Sequence, residues 1–321
     1  MLYDVIVIGG GPAGVAAVVY CARKKLKTLM IADSFGGQSI VSDEIQNWIG
    51  EVKISGSELA KKLEAHARAF PEEVEIKQER VNSVKSIRCS EPGRICDFEI
   101  TTDKGNTFES KSVILASGAR RRTLNVPGEE KYAGRGVAYC STCDAPLFRN
   151  KTVAVVGGGN AGAEAVIDLL AYASKIYLLH RGSALKADPV SIEKIQKNEK
   201  VTIILNAQTQ EIVGETIVAG LKYLNSQSNE VKQLDLNGVF VEVGSVPNSE
   251  MVKDVVEIDQ WGQVMVDFKH ASTSHPGIFA AGDVTNDPYK QNNISVGDAV
   301  KAALATYAYL QQREKMPPAV A

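Results

Sequence analysis

The stretch Tyr3-Asp-Val-Ile-Val-Ile-Gly-Gly-Gly-Pro-Ala-Gly14 decides the fold of this chain. Its first half is apolar and β-branched, which suits a buried strand. Its second half is a G-x-G-x-x-G turn, Gly9 to Gly14, and Val15 to Lys25 follows with helical character. A second apolar run, Lys27 to Ile31, ends at Asp33. Strand, glycine turn, helix and strand in this order form a βαβ unit that binds a dinucleotide. The order recurs. Thr152 to Val156 leads into Gly157-Gly-Gly-Asn-Ala-Gly162, a helix is expected from about Ala163 to Tyr172, and Lys175 to Leu179 runs into His180-Arg181. Two such units predict an α/β chain with two Rossmann-like, three-layer nucleotide-binding domains.

Each glycine has a physical task. The first permits the tight turn, the second lets a pyrophosphate approach the backbone, and the third lets the helix pack on its strand. The helix N-terminus then offers free N–H groups to phosphate. Asp33 is placed to accept hydrogen bonds from a ribose diol, whereas His180 and Arg181 would suit a ribose 2′-phosphate.

Composition narrows the class. The chain has 321 residues, 44% hydrophobic and 23% charged, with a formal net charge of -2. A disordered or collagen-like chain is excluded. A nucleic-acid partner is not expected, because no basic excess exists to neutralise phosphates. No apolar run suits a membrane span, and Met1 begins no signal peptide, so a cytoplasmic location is expected. There the five cysteines should stay reduced unless redox work is their task. Further strands are expected at Glu99–Thr102, Ser112–Leu115, Val201–Leu205 and Gly238–Val243, a hairpin turn over 224–236, a helix over 303–314 and a frayed tail after Lys315.

The chemistry concentrates at Cys140-Ser-Thr-Cys143-Asp144. A C-x-x-C pair beside nucleotide-binding folds reads as a redox dithiol. No metal is expected, since a structural zinc needs four ligands and there is no second C-x-x-C. Asp144 can give or take the proton that accompanies thiol–disulfide interconversion. Cys21 falls in the first helix as a small buried hydrophobe, and Cys89 and Cys96, which flank Pro92-Gly93, receive no role. A nicotinamide delivers hydride, while a disulfide accepts electrons by sulfur exchange. A flavin bridges the two, so two dinucleotide folds with one dithiol imply FAD in one fold and a nicotinamide donor in the other.

With these landmarks the chain resembles the low-molecular-weight thioredoxin reductase family, and looks still more like the flavoprotein portion of alkyl hydroperoxide reductase. Further motifs carry the resemblance over essentially the whole chain: Gly36-Gly-Gln38, Asn47, Ala116-Ser-Gly-Ala119, Val126-Pro-Gly128, Gly244 to Asn248 and Pro276 to Asp283. Leu185 to Asp188, Ile204 to Gln208 and Pro288 to Gln291 favour the hydroperoxide-reductase branch. The resemblance implies that one domain is inserted into the other: a discontinuous FAD domain, 1–115 and 248–321, and a nicotinamide-type domain carrying the dithiol, 119–244. A rotation about linkers near Leu115–Ala119 and Val243–Pro247 would present either the nicotinamide or the dithiol to the flavin.

The implied FAD residues are Gly9, Gly11, Pro12, Ala13, Gly14, Asp33, Gly37, Gln38, Asn47, Ala116, Gly118, Gly282, Asp283, Lys290 and Gln291. Gln38 and Asn47 would lie along the flavin, Asp283 on the ribityl chain, and Gln291 near the ring. Cys143 would face the flavin, Cys140 would exchange with the partner's disulfide, and Asp144 would be the acid/base. The implied nucleotide residues are Gly157, Gly159, Asn160, Gly162, His180, Arg181 and Lys186.

The chain also departs from the family. NADPH-using members carry His-Arg-Arg and a further arginine, where this chain has His180-Arg181-Gly182 and Lys186. The acidic residue that NADH-preferring relatives carry near His180 is absent. NADPH, NADH and reduced ferredoxin all stay open as donors, the last with a silent nucleotide site. Hydroperoxide reductase carries a thioredoxin-like domain ahead of this module. Here the first strand starts at Tyr3, so electrons are expected to go to a separate thioredoxin or thioredoxin-like protein, from a homodimer. Two further readings are a ferredoxin–NADP reductase, whose members lack C-x-x-C, and an FAD-binding redox sensor. The run Arg120-Arg-Arg122 reads as a steering patch or a solvated linker.

Overall fold

The computed structural model describes residues 1–42, 44–90 and 95–315. The chain divides into two compact units, one formed by Met1–Arg120 with Val246–Ala321 and the other by Arg121–Ser245.

The first unit is built on a five-stranded parallel sheet. Its spatial order is Ile278–Ala280, Val113–Leu115, Val5–Ile8, Thr28–Ile31 and Val74–Lys77. All four residues of the central strand Val5–Ile8 are buried, as a strand covered on both faces requires. Alternation divides them: Val5 and Val7 join one apolar cluster, Ile6 and Ile8 another. The first cluster holds Val15, Val18 and Ala22 of helix Pro12–Arg23 and Ala299, Ala302 and Ala303 of helix Asn292–Arg313. The second holds Val84, Phe98 and Ile100 from a four-stranded sheet of Leu2–Tyr3, Thr107–Ser110, Asp97–Thr102 and Val81–Ile87. Helices, parallel sheet and second sheet thus make three layers. Each large aliphatic side chain buried between them contributes roughly 1.5–3 kcal/mol.

Helix Gly56–Ala67 starts at a capping box that the sequence spells out. The Ser55 hydroxyl accepts the Glu58 amide at 3.2 Å, and the Glu58 carboxylate accepts the Ser55 amide at 3.1 Å.

The second unit repeats the plan with a parallel sheet ordered Val137–Ala138, Gly238–Val241, Thr152–Val156, Lys175–Leu179 and Val201–Ile204. Helix Asn160–Leu169 packs on one face through Ala163, Val166 and Leu169. A three-stranded antiparallel sheet, Ala207–Gly214, Val218–Asn225 and Glu230–Asp235, supplies Ile212, Leu221 and Tyr223 to the other cluster. Both units therefore carry the three-layer α/β plan expected from the two glycine turns.

Several elements differ from expectation. The polar stretch 224–236 is not all turn: Glu230–Asp235 is a strand, and its exposed edge explains its polarity. The helix expected at 303–314 spans Asn292–Arg313, because its first half is small and polar and carries no strong period. The helix of the second unit begins at Asn160 and ends at Leu169, three residues earlier at each end than read. Cys21 is buried and free, as expected, and burial pushes its thiol up to about 12. Cys89 and Cys96, expected reduced and without a role, form a disulfide across the neighbouring strands Val81–Ile87 and Asp97–Thr102. Their strand pairing brings the two Cα atoms to 4.0 Å, a proximity that spacing alone does not show. The turn expected at Pro92-Gly93 and the tail beyond Lys315 lie outside the described residues.

Candidate active site

The first unit gathers its site around the first glycine turn. A Cβ on Gly14 would overlap the carbonyl oxygen of Gly9, so helix and turn touch backbone to backbone. Gly9 itself has φ +119° and lies against the Ala116 carbonyl. Gly11 caps helix Pro12–Arg23 with no side-chain hydrogen bond, and the nearest atom to a Cβ there is the Gly37 Cα at 3.7 Å. The close approach of Gly37 backbone to Gly11 at the N-terminus of this helix leaves room that fits a pyrophosphate.

The remaining first-unit residues converge. A Cβ on Gly282 would lie 3.2 Å from the Ala13 Cβ. Gln38 donates from Nε2 to Asp283 Oδ2 at 3.2 Å, and Asn47 donates from Nδ2 to Gln291 Oε1 at 3.2 Å. Gln291 is the N-cap of helix Asn292–Arg313. Lys290 donates to the Thr285 carbonyl at 2.7 Å, and burial holds its pKa below the usual lysine value. Asp33 lies elsewhere around Gly9, where a cavity of about 420 Å³ is lined by Gly9, Asp33, Arg80, Ser117 and Asn248 among others. Asp33 stands 3.6 Å from Arg80 there. Gly118 has φ +65° and its carbonyl accepts the Asn248 amide at 2.9 Å.

The second unit holds a cavity of about 580 Å³ lined by Gly157, Gly159, Asn160, His180, Arg181 and Lys186 with their neighbours. Gly162 lies beneath it, where a Cβ would overlap the Gly157 carbonyl oxygen. The Asn160 side chain accepts the Asp188 amide at 2.8 Å, and the Lys186 amide binds the Gly158 carbonyl at 2.7 Å, so the loop bearing Lys186 is fixed to the glycine turn. The His180 ring occupies the space a Cβ on Gly158 would take. Its Nε2 is buried with no hydrogen-bond partner among the described residues. Burial, with Lys186 and Arg181 adding to it, holds its pKa below the ordinary value. Arg181 and Lys186 make the cavity basic, which suits an anionic ligand.

The dithiol belongs to the same unit. Cys140 and Cys143 form a disulfide at the start of the short helix Ser141–Asp144. The Cys143 amide donates to the Cys140 sulfur at 3.2 Å, a bond that would also hold a thiolate on Cys140. Burial pushes the Asp144 carboxyl up to about 6, against the opposing pull of Arg121. That value suits a group that holds a proton near neutrality and releases it.

Asp168 and Glu242 received no role in the sequence, and Arg121 was read only as part of the Arg120-Arg-Arg122 run. Asp168 Oδ2 accepts the Ser141 hydroxyl at 2.8 Å and the Thr142 hydroxyl at 3.3 Å. Burial pushes the Glu242 carboxyl up to about 8, with Arg121 opposing the rise and Asp168 adding to it. Arg121 lies over the Tyr139 ring with 5.3 Å to its centroid. The strand expected over Gly238–Val243 ends at Val241, so Glu242 lies just past it, and sites in parallel sheets collect at strand ends. Arg120, read as steering patch or solvated linker, binds Asn248 Oδ1 at 2.9 Å and Glu250 Oε1 at 2.6 Å. Among the described residues no cluster of His, Cys, Asp or Glu could hold a metal ion, and no helix is long and apolar enough to cross a membrane.

Known proteins share this architecture. A chain described as NADH dehydrogenase from Bacillus subtilis is 42% identical over 308 residues, covering 96% of this chain and 58% of its own length. The alkyl hydroperoxide reductase F protein from Pseudomonas putida is 43% identical over 309 residues, with coverages of 96% and 58%. The chain thus spans little more than half the length of these relatives. The crystal structure of thioredoxin reductase from Streptococcus pyogenes superposes with a TM-score of 0.88 at 36% identity, covering 97% of this chain and 99% of that one. The family described as pyridine nucleotide-disulphide oxidoreductase matches residues 3–308. Carrying two glycine turns and a closed C-x-x-C pair, the chain belongs to that family.

Proposed function

We propose that this protein takes electrons from a reduced nicotinamide nucleotide and passes them through FAD and the Cys140–Cys143 pair to thioredoxin or a thioredoxin-like protein. The observation that carries the reading is the Cys140–Cys143 disulfide beside the protonatable Asp144, in the same unit as a basic nucleotide cavity. The FAD part would be 1–115 with 248–321, and the nucleotide-and-dithiol part 119–244. The residues around Gly9–Gly14, with Asp33, Gln38, Asn47, Asp283 and Gln291, would hold FAD. When bound, FAD supplies the exchange of an electron pair between nicotinamide and dithiol.

The chain's own residues account for the acceptor side. In the reduced protein the Cys140 thiolate attacks one sulfur of the acceptor disulfide, and a mixed disulfide forms as the other acceptor sulfur leaves as thiolate. Cys143 then attacks the Cys140 sulfur, closing the Cys140–Cys143 bond and releasing the second acceptor sulfur. Asp144 takes the proton of the attacking thiol and returns one to a leaving thiolate.

Homodimer formation and a cytoplasmic setting belong to this proposal, since steady turnover draws on a pool of reduced nucleotide. A second reading is favoured by the likeness to the hydroperoxide reductase F protein: reduction of a peroxiredoxin through a separate redoxin. Donor choice is tested by mixing the yellow protein anaerobically with NADPH, NADH and reduced ferredoxin in turn and following loss of the oxidised flavin band. Rapid bleaching by one nucleotide supports the reading. Bleaching by ferredoxin alone replaces the donor, and retained redoxin reduction in Cys140→Ser overturns the reading.

A further inference from the structure

The Cys89–Cys96 bond belongs to the first unit and takes no part in the function proposed above. Its two ends differ. Cys89 is exposed, whereas Cys96 is 1% exposed and packs in the apolar cluster of Val84, Phe98 and Ile100. Thiol–disulfide exchange needs a sulfur that an incoming thiolate can reach, so the Cys89 end is the one open to attack from solvent. Attack there makes Cys96 the departing sulfur, and the pairing of Ile87 with Asp97 keeps it beside Cys89.

The bond also closes one end of an ion-pair network. Arg88 precedes Cys89, Asp97 follows Cys96, and the two pair at 2.9 Å. Arg88 holds the Glu109 carboxylate through both terminal nitrogens, at 3.1 and 2.9 Å. Asp97 also pairs with Arg313, the last residue of helix Asn292–Arg313. Arg313 donates further to the Cys96 carbonyl at 2.7 Å and the Lys111 carbonyl at 2.9 Å. Two of its three partners are therefore the bridged Cys96 and the residue next to it. Arg88 has φ +46°, a left-handed conformation that a non-glycine residue keeps only where its surroundings impose it. Strand pairing fixes the chain on one side of Arg88, and the disulfide fixes it on the other.

We propose that Cys89 is a thiol-exchange site, and that the Cys89–Cys96 bond is a reversible clasp whose reduction by a dithiol loosens the C-terminal end of helix Asn292–Arg313. One thiolate of the dithiol attacks the Cys89 sulfur. A mixed disulfide forms, the Cys89–Cys96 bond breaks, and the Cys96 sulfur leaves as a thiolate that takes a proton. The second thiolate of the dithiol then attacks the dithiol's own sulfur in the mixed disulfide. Cys89 is released and protonated, the dithiol departs as a cyclic disulfide, and its electron pair stays in the two new thiols. With the clasp open, Arg88 relaxes out of the left-handed region, and Asp97 and the Cys96 carbonyl are no longer fixed against Arg313. The reverse exchange, with a disulfide compound as oxidant, closes the clasp. This inference needs neither the Cys140–Cys143 chemistry nor any donor or acceptor.

The test uses the full chain isolated without reductant. Free thiols are blocked with iodoacetamide, dithiothreitol is added, and newly freed thiols are labelled with an isotopically heavier reagent and located by mass spectrometry. Cys89 and Cys96 should carry the heavy label alone. Amide hydrogen exchange is then followed in Cys140→Ser, where Cys89–Cys96 is the one bond left to reduce. Dithiothreitol should speed exchange over 308–313 roughly 5-fold or more, and leave 299–303, in the apolar core, unchanged. Cys89→Ser should show the fast rate without reductant and no further rise with it, although its Cys140–Cys143 bond is still reduced. If that variant fails to fold, the two redox states of Cys140→Ser decide the matter alone. Light label on Cys89 and Cys96, equal exchange over 308–313 in the two states, or the same acceleration over 299–303 overturns the proposal. Redoxin reduction enters none of these measurements, so their failure leaves the proposed function standing.

Discussion

The two glycine turns have the same backbone and different surroundings. In both, the last glycine lies under the carbonyl of the first, the first has a positive φ, and the middle one caps a helix without a side-chain bond. The difference lies at the second position. A Cβ on Gly10 would overlap the Ser34 backbone, whereas one on Gly158 would overlap the His180 ring. The first turn is closed by main chain next to an acidic Asp33, and the second by an imidazole next to Arg181 and Lys186. On the proposed reading, the shared backbone would give each unit a place for phosphates, and the side chain at the end of the following strand would distinguish one nucleotide from another.

The largest effect that would sharpen this comparison separates the dithiol from both turns. Cys140→Ser is expected to lower redoxin reduction by roughly 10³-fold or more while donor-driven flavin bleaching persists. Loss of both would show that the units do not act in sequence. Next come the matched glycines. Gly14→Ala and Gly162→Ala create the same backbone overlap, each costing about 1–3 kcal/mol. The first should release flavin, seen as lost yellow colour on gel filtration. The second should leave the flavin bound and weaken nucleotide saturation. Flavin loss in both would erase the distinction between the turns.

Smaller shifts test the charges. Arg181→Ala is expected to raise the KM for NADPH about 10-fold more than that for NADH if the basic cavity holds a 2′-phosphate, and an equal rise breaks that assignment. Glu242→Gln should change stability with pH. A carboxyl whose folded pKa is raised adds stability at low pH, and that stability is lost as pH rises through about 8. The variant should therefore match the natural protein near pH 4 and gain about 1–2 kcal/mol above pH 8 in urea unfolding, less than the full shift because the group is half-buried.

Much of this was legible because glycine is informative. A G-x-G-x-x-G turn behind a β-branched run constrains strand, turn and helix together, so the βαβ core of each parallel sheet followed from two short stretches. The C-x-x-C-D run was similarly readable. Asp168 was not, since it reaches the dithiol turn from helix Asn160–Leu169, and a lone carboxylate on a helix has no local signature. The Cys89–Cys96 bond was missed for a related reason: pairing of Ile87 with Asp97 brings the cysteines together, and that register is set by the sheet. The same holds for Gln38 with Asp283 and Asn47 with Gln291, which meet only when the last third of the chain folds back.

That return of the chain has a consequence for how the protein is made. Strand Ile278–Ala280 completes the edge of the first sheet, and helix Asn292–Arg313 covers its core. Near the end of that helix, Arg313 binds the Cys96 and Lys111 carbonyls at 2.7 and 2.9 Å and pairs with Asp97. On a ribosome the first 120 residues therefore emerge without the strand and helix that bury their apolar face. Residues 121–245 contain every strand of their own sheets and have all they need as soon as they leave the exit tunnel. Residues 121–245 can therefore finish folding before residues 246–315 are made, whereas residues 1–120 must wait for them.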